Sequence, residues 1–305
     1  MPTRLRQIAL VSPTLEATLT TFTSTFNAPV VERDPGVGAF GLHNGLIQLG
    51  DCFLEVVAPL PNLDPLTTAA GRYISKHGAG GYMVLMQVDN LNQTEANLSH
   101  LPTIHAGGRD YCATTNRSHI RPHLPGTAIL PVHANNGSGV DGISTTGTHG
   151  SGVDGISITG THGSGVDGIS ITGTHYHPRD MGCIIEATEN TPRHQWLWAG
   201  HEWYQHSPKG SSTQCGGFAR VVIACKDPAQ TCHTWHTGLA LIKKEAGSTA
   251  LWTEDGCEIA FRKPLHALEN GPVEIDLWSR SKALIGVRTT LCGVVFGFVA
   301  LSAKL

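Results

Sequence analysis

One pattern constrains the fold more than any other: a short apolar strand that turns directly into a helix, used more than once. In its first instance the strand Leu5–Ser12 ends at Pro13. The apolar residues that follow recur at helical spacing, at Leu15, Leu19, Phe22 and Phe26. The pattern restarts at residues 82–91 and again at residues 218–228. Strands and helices mixed in this way predict an α+β protein built from related units.

The segments after each opening predict the rest of each unit. Short apolar runs in the first unit predict strands at Val30–Glu32, Ala39–Leu42, Leu46–Leu49 and Phe53–Val57. Residues 1–60 therefore form a β-α-β-β-β module, and residues 61–81 form a connector with a short helix near Ala69–Lys76. Residues 82–205 form a second module. Residues 206–305 form a third, degenerate one, with strands predicted at Glu258–Phe261, Val273–Trp278 and Val294–Leu301.

The second module contains an insertion, residues 102–175, that ends in a tandem repeat. The 13-residue unit GSGVDGISITGTH occurs at 150–162 and 163–175, and the copy at 137–149 differs only in having Thr145. Three interpretations are open: a calcium-binding β-roll, a metal ladder of Asp and His, and a tandem duplication of one native strand-turn. The third copy runs directly into the next strand, so we expect it to be the original and the first two to be a tolerated insertion. Residues 102–136 show no clear periodicity, and no structure is predicted there.

Charge and hydropathy exclude several classes of function. The formal net charge is −3 with no Lys/Arg cluster, which argues against a nucleic-acid partner. No apolar run reaches the ~18–20 residues that span a bilayer, and the N-terminus has no signal-peptide pattern. None of the eight cysteines forms a CxxC pair, so we expect no zinc ribbon and a reduced, cytoplasmic setting. The final Ala303-Lys304-Leu305 is similar to a peroxisomal address.

Four segments together carry a family resemblance: LRQIALVSPTLEATL, FGLHNGLIQLGDCFLEVVAP, GGYMVLMQVDNL and THYHPRDMGCIIEATE. They resemble the vicinal-oxygen-chelate superfamily, which includes the glyoxalases, bleomycin-resistance proteins and extradiol dioxygenases. The resemblance implies paired β-α-β-β-β modules that form a cupped mixed sheet around a divalent metal ion such as zinc, nickel, manganese or iron. Metal ligands in that fold come from the first and last strands of each module.

Carried onto this chain, the resemblance assigns Gln7, Glu55 and Glu186 as metal ligands and Glu186 also as the catalytic base. Met83 stands at the fourth ligand position and departs from the pattern, because a thioether is a poor ligand for hard or borderline ions. His177 is near enough in sequence to substitute for it. Each residue also has a plain structural interpretation, although Glu55 in the apolar run FLEVV is costly to bury without a partner.

Two functions remain open from the sequence. One is a metal-dependent lyase or isomerase acting on a small oxygenated or thiol-conjugated substrate. The other is a metal-free protein of the same fold that sequesters a small molecule. The aromatic segment Trp196–Trp203 is interpreted mainly as a linker packed against the domain, and alternatively as a wall of the substrate site. Whether the third module pairs within the chain or across a homodimer stays open.

Overall fold

The computed structural model describes residues 3–112, 117–122, 170–200 and 212–301. The first two repeat copies, Trp203 and the final tripeptide lie outside these residues. The helices are α1 Leu15–Phe26, α2 Ala69–His77, α3 Leu91–Asn97, α4 Pro178–Met181 and α5 Pro228–Gly238. The strands are β1 Arg4–Val11, β2 Val30–Glu32, β3 Leu42–Leu49, β4 Cys52–Pro59, β5 Gly80–Gln87, β6 Thr103–Cys112, β7 Arg117–Pro122, β8 Ser170–Tyr176, β9 Ile184–Thr191, β10 Cys215–Ala224, β11 Ala250–Trp252, β12 Glu258–Arg262, β13 Gly271–Ser279, β14 Arg288–Leu291 and β15 Val294–Ala300.

The first 59 residues form the predicted β-α-β-β-β order, from β1 to β4. Helix α1 begins at Leu15 and buries all four apolar residues that showed the helical period in the sequence. Strand β4 returns parallel to β1, which requires the crossover that α1, β2 and β3 provide. The helix in the connector is also confirmed, as α2.

The strand predicted at Ala39–Leu42 is wrong. A 3-10 helix occupies Pro35–Phe40, and Asp34 caps it by accepting a hydrogen bond from the Gly36 amide. The helix ends at Gly41, whose φ of 71° lies in the left-handed region that glycine adopts without strain. Strand β3 begins only after this turn. The segment 35–41 contains one proline and three glycines, which favour a turn over a hydrogen-bonded β-strand.

The first sheet has nine strands in the order β2-β3-β4-β1-β5-β9-β8-β6-β7. Strands β1 and β5 meet antiparallel at its centre, and each has the last strand of its own module parallel on its other side, β4 beside β1 and β9 beside β5. The prediction of paired β-α-β-β-β modules forming a cupped mixed sheet is confirmed. Each half of the sheet therefore has the same order from the centre outward: the first strand of the module, then its last strand, then the strand before that.

The expectation of no structure after residue 102 is wrong for part of that segment. Strands β6 and β7 form a hairpin there, and β6 pairs with β8. Strand β8 is the second half of the third repeat copy and continues to Tyr176. Polar, Gly-containing strands near a sheet edge carry little periodic signal, which explains why the pattern did not predict β6 and β7.

The second sheet has six strands in the order β11-β12-β10-β13-β15-β14. It repeats the relations of the first: β10 is parallel to β12 and antiparallel to β13, and β13 is parallel to β15. The unit β10–α5–β11–β12 therefore corresponds to one module. Strands β13, β14 and β15 form a shorter second module that pairs with it through β10 and β13. The strands predicted at Glu258–Phe261, Val273–Trp278 and Val294–Leu301 are confirmed as β12, β13 and β15.

One hydrophobic core joins the two sheets. Phe22 and Phe26 of α1 pack against Phe296 of β15, with ring centroids 5.7 and 5.5 Å apart. Helix α5 places the fully buried Trp235 in the same core, where its indole donates to the Met181 carbonyl at 3.0 Å. Among the described residues, no helix is both long and apolar enough to cross a membrane.

Candidate functional site in the first sheet

The face of the first sheet turned away from the main core carries the predicted site residues; we call it the cup. Side chains alternate between the faces of a strand, so Ile8 and Leu10 enter the core while Gln7 and Ala9 face the cup. Glu55 on β4 lies opposite Ala9, and Glu186 on β9 lies opposite Leu85 of β5. The two carboxylates therefore occupy equivalent positions in the two modules.

Glu55 is buried, with 7% of its surface exposed, and both of its oxygens accept hydrogen bonds. Gln7 Nε2 donates to Oε2 at 2.8 Å, and Asn44 Nδ2 donates to Oε1 at 2.6 Å. Burial raises the pKa of Glu55 to about 7, and the two amide donors only partly oppose this. Glu55 therefore exchanges a proton close to neutral pH.

Glu186 is equally buried but has a richer set of donors. His175 Nε2 lies 2.9 Å from Oε2, while Thr188 Oγ1 and Trp198 Nε1 donate to Oε1 at 2.9 and 2.8 Å. Burial alone would raise the pKa of Glu186, but the His175 ring and these hydrogen bonds outweigh it and lower the pKa. Glu186 therefore stays ionised to a lower pH than Glu55 does.

The sequence singled out His177, and the structure places a different histidine beside Glu186. His177 is exposed and begins α4, where its Nδ1 accepts from the Arg179 amide at 3.1 Å. His175, two residues earlier on β8, faces the cup directly opposite Glu186. Side chains alternate between the two faces of β8, and this places His175 rather than His177 beside Glu186. The sequence did not predict this, because no partner strand could be assigned to the repeat segment.

Glycine in the repeat makes room for the Glu186 carboxylate. Gly173 lies one cup-facing position from His175 on β8. A Cβ atom there would lie 2.5 Å from Glu186 Oε1, inside van der Waals contact. Only glycine at this position leaves Glu186 where its three donors can reach it.

The tryptophan segment packs into the cup, which makes it a wall of the candidate site as well as a linker. Trp196 is fully buried and Trp198 half-buried, and both pack with Leu46, Phe53, Leu85 and Ile171. Trp196 Nε1 donates to Gln7 Oε1 at 2.8 Å, and the Arg6 guanidinium lies 5.4 Å from its ring centroid. The half-buried Met83 packs at the edge of the same apolar cluster.

Sequence reasoning missed several polar residues of the cup. Asn44, His175 and Asn190 lie on strands, and nothing in their local sequence marks them as site residues. Asn190 is 5% exposed, and its amide has no hydrogen-bond partner among the described residues. One sequence pattern could have predicted part of this set. Thr188 and Asn190 follow Glu186 at two-residue intervals, which places all three side chains on one face of a strand.

The residues as arranged do not fit a divalent ion. Among the described residues, no three His, Cys, Asp or Glu side chains are placed to share one. The Gln7 oxygen and one Glu186 oxygen each already accept an indole N–H, and the thioether of Met83 suits soft rather than hard ions. The metal expected from the resemblance therefore has no prepared set of ligands in this arrangement.

Comparisons with known proteins agree with the topology. No family model matches the chain, and no curated protein matches it in sequence. A hypothetical protein from Staphylococcus aureus is similar in structure, with a TM-score of 0.59 and 9% identity over 98% of this chain and 100% of that one.

Two methylmalonyl-CoA epimerases overlap a smaller part of the chain. The enzyme from Streptomyces coelicolor, in complex with 2-nitronate-propionyl-CoA, has a TM-score of 0.37 and 13% identity over 62% of this chain and 98% of that one. The enzyme from Mycobacterium tuberculosis has a TM-score of 0.36 and 13% identity over 62% and 89%. At these identities the likeness shows a fold and not an activity: the chain has the α+β fold of paired β-α-β-β-β modules.

Proposed function

We propose that the chain is a glyoxalase-like enzyme, a lyase or isomerase that moves a proton on a small oxygenated or thiol-conjugated substrate held in the cup. The observation that carries the proposal is the pair Glu55 and Glu186. They are two buried carboxylates at equivalent positions of paired modules, and their pKa values are shifted in opposite directions. Such a separation assigns different acid–base roles to two groups of the same type.

Glu55 is the better proton carrier of the two. A general base works best when its pKa lies near the working pH, and that of Glu55 is raised to about 7 by burial. The resemblance assigned the base to Glu186, but its lowered pKa makes it the weaker base. We therefore assign proton transfer to Glu55, and charge and orientation to Glu186 with His175.

The proton transfer needs no group outside the substrate and Glu55. The Glu55 carboxylate takes a proton from a carbon beside a carbonyl, and the electron pair of the broken C–H bond moves into the carbonyl to form an enolate. The proton then returns from Glu55 to the same face of that carbon, which restores the substrate, or to the enolate oxygen, which gives the enol; in D₂O the first route leaves deuterium on the carbon. The apolar walls made by Phe53, Leu85 and Trp196 keep water away from Glu55 and so maintain its raised pKa.

Deuterium exchange tests this role across several classes of substrate at once. Purified protein is incubated in D₂O with a panel of 2-hydroxyketones, 2-hydroxyaldehydes and thioesters, and loss of the α-proton is followed by NMR. We expect exchange with at least one compound, and a loss of about 100-fold or more in Glu55→Gln.

Glu258→Gln on the second sheet is the matched control and should keep the wild-type rate. Exchange that survives Glu55→Gln, or a panel in which no compound exchanges, would contradict the proposal. Repeating the assay with added manganese, zinc or nickel and with a chelator shows whether an ion contributes.

The same wall supports a second candidate, a metal-free protein that sequesters an apolar or aromatic small molecule. The half-buried Trp198 and Met83 offer flat and polarisable surface beside polar groups. Titration of the intrinsic tryptophan fluorescence with an aromatic panel tests it. Saturable quenching that is equal in wild type and Glu55→Gln, with no deuterium exchange in either, favours this function over the enzyme.

A further inference from the structure

We propose that Trp196 and Trp198 direct their indole N–H groups at the oxygens that would otherwise ligate a metal, so that the cup operates without a divalent ion. The inference concerns the site of the proposed function and rests on it. It goes further because it assigns positioning roles to two residues of a segment that the sequence interpreted mainly as a linker. Three separate contacts support it.

The first contact determines which way the Gln7 amide points. An indole Nε1 can only donate, so the Gln7 atom 2.8 Å from Trp196 Nε1 must be its oxygen. The Gln7 nitrogen is then the atom that faces Glu55, where it donates to Oε2 at 2.8 Å. With its oxygen turned toward the indole, Gln7 cannot share an ion with Glu55.

The same logic holds on the other side of Glu55. The backbone amide of Asp34 donates to Asn44 Oδ1 at 2.8 Å, so the Asn44 nitrogen faces Glu55. Glu55 therefore lies between two N–H donors rather than between oxygen ligands. Two N–H donors suit a carboxylate that accepts hydrogen bonds and do not suit a cation, which needs oxygen ligands around it.

The second indole acts on Glu186. Trp198 Nε1 and Thr188 Oγ1 both donate to Oε1, while His175 lies against Oε2. Three donors satisfy a carboxylate that would otherwise be buried unpaired. Trp198 and Thr188 occupy both lone pairs of Oε1. An ion that binds this oxygen would therefore have to displace the Trp198 N–H.

The geometry makes a gain-of-binding prediction. Removing both indole N–H groups by Trp196→Phe and Trp198→Phe keeps the apolar wall, frees the Gln7 oxygen, and removes one of the two donors to Glu186 Oε1. It also leaves Gln7 able to turn. The probe is MnCl₂, followed by electron paramagnetic resonance and by calorimetry, since Mn²⁺ prefers oxygen ligands. We expect no binding to the wild type tighter than about 1 mM that depends on Glu55.

The double variant should bind Mn²⁺ at least about tenfold more tightly than wild type, and Glu55→Gln in that background should remove the gain. Trp252→Phe on the second sheet is the matched control and should leave Mn²⁺ binding unchanged. Because Trp196 is fully buried, folding is checked by circular dichroism, and Trp198→Phe alone provides a milder version of the same test.

Two results would overturn the inference. One is a wild-type protein that binds one Mn²⁺ with a Kd below about 10 μM and loses it in Glu55→Gln or Glu186→Gln. The other is a folded Trp198→Phe or double variant with no gain in affinity. Either result leaves the deuterium-exchange test of proton transfer intact, so failure of this inference is distinguishable from failure of the proposed function.

Discussion

At the scale of single residues, the cup shows how environment separates two identical functional groups. Glu55 and Glu186 are equally withdrawn from water, yet one carries two neutral amide donors and the other a histidine, a hydroxyl and an indole. Burial favours the neutral acid in both cases, and only the partners of Glu186 outweigh it. The difference in role therefore lies in the donors and not in the acids.

This difference predicts how stability depends on pH. The folded-state pKa of Glu55 is about 7, above its ordinary value, so its contribution to stability is complete at low pH and is lost as the pH rises toward 7. The loss amounts to roughly 3 kcal/mol at most. We expect the free energy of unfolding from urea titrations to fall between about pH 4.5 and pH 7, and this fall to be absent in Glu55→Gln.

Glu186 titrates below the range of that measurement, and its charge is the smallest of the named causes that shift the pKa of Glu55. Its folded-state pKa is lowered, so its contribution is present at neutral pH and is lost only as the pH falls through that lowered value, below the Glu55 range. Glu186→Gln should therefore retain most of the loss of stability between about pH 4.5 and pH 7. Equal slopes in wild type and Glu55→Gln would show that Glu55 is not the titrating group.

At the scale of elements, β8 links the repeat to the site. Its cup face presents Ile171, Gly173 and His175, and its other face presents Thr174, which donates to Glu95 of α3 at 2.5 Å, and the buried Tyr176. Three alternate residues in one half of a repeat copy thus have different functions in the cup: Ile171 joins the apolar wall, Gly173 leaves room for the Glu186 carboxylate, and His175 contacts that carboxylate. The 13-residue period of the repeat does not determine this arrangement. It follows from the alternation of side chains between the two faces of a strand.

Filling the space in β8 should disturb the site. In Gly173→Ala the new methyl group would lie 2.5 Å from Glu186 Oε1 and push the carboxylate away from Trp198 and Thr188. We expect a loss of about 1–3 kcal/mol in the free energy of unfolding, measured by urea titration with tryptophan fluorescence.

Gly38→Ala is the control for this substitution. Gly38 has no atom within 4 Å of the added Cβ position, so its substitution should cost little. A Gly173→Ala protein as stable as Gly38→Ala, with unchanged fluorescence, would mean that Glu186 does not sit where the geometry places it.

At the scale of the whole molecule, the chain is two mixed sheets sharing one core. The α1 phenylalanines lie against β15 of the second sheet, although more than 250 residues separate them in sequence, about the length of a typical domain or more. The second sheet repeats the strand relations of the first, but at the positions in register with those of Glu55 and Glu186 it has Ala260 and Gly297. The paired carboxylates therefore belong to the first sheet alone among the described residues.

Two deletions of equal length test what the repeat contributes to the whole fold. Removing 137–162 leaves the third copy in place, and removing 150–175 leaves the first copy joined to Tyr176. The two products differ at one residue, Ile171 in one and Thr145 in the other, and that residue faces the apolar wall of the cup. We expect the first deletion to change stability by less than about 1 kcal/mol, since the free-energy cost of closing an insertion grows only slowly with its length.

The second deletion should be less stable than the first by roughly 1–3 kcal/mol, because it buries a hydroxyl in an apolar cluster. Thermal unfolding of both proteins measures the difference, and Ile171→Thr in the full chain is the internal control. Equal melting temperatures would place the residue outside the cup. A first deletion that unfolds the protein would show that the extra copies contribute to the fold.

Features with a short period could be predicted from the sequence alone. Helical spacing predicted α1, recurring strand-to-helix openings predicted related modules, and the family resemblance pointed to Glu55 and Glu186. The groups that surround those two acids could not be predicted in this way, because they come from distant parts of the chain. Gln7 and Trp196 are 189 positions apart, and His175 rather than His177 meets Glu186 because of strand register. Hydrogen bonds depend on atoms brought within about 3 Å by register and packing, and no local pattern in a sequence encodes that distance.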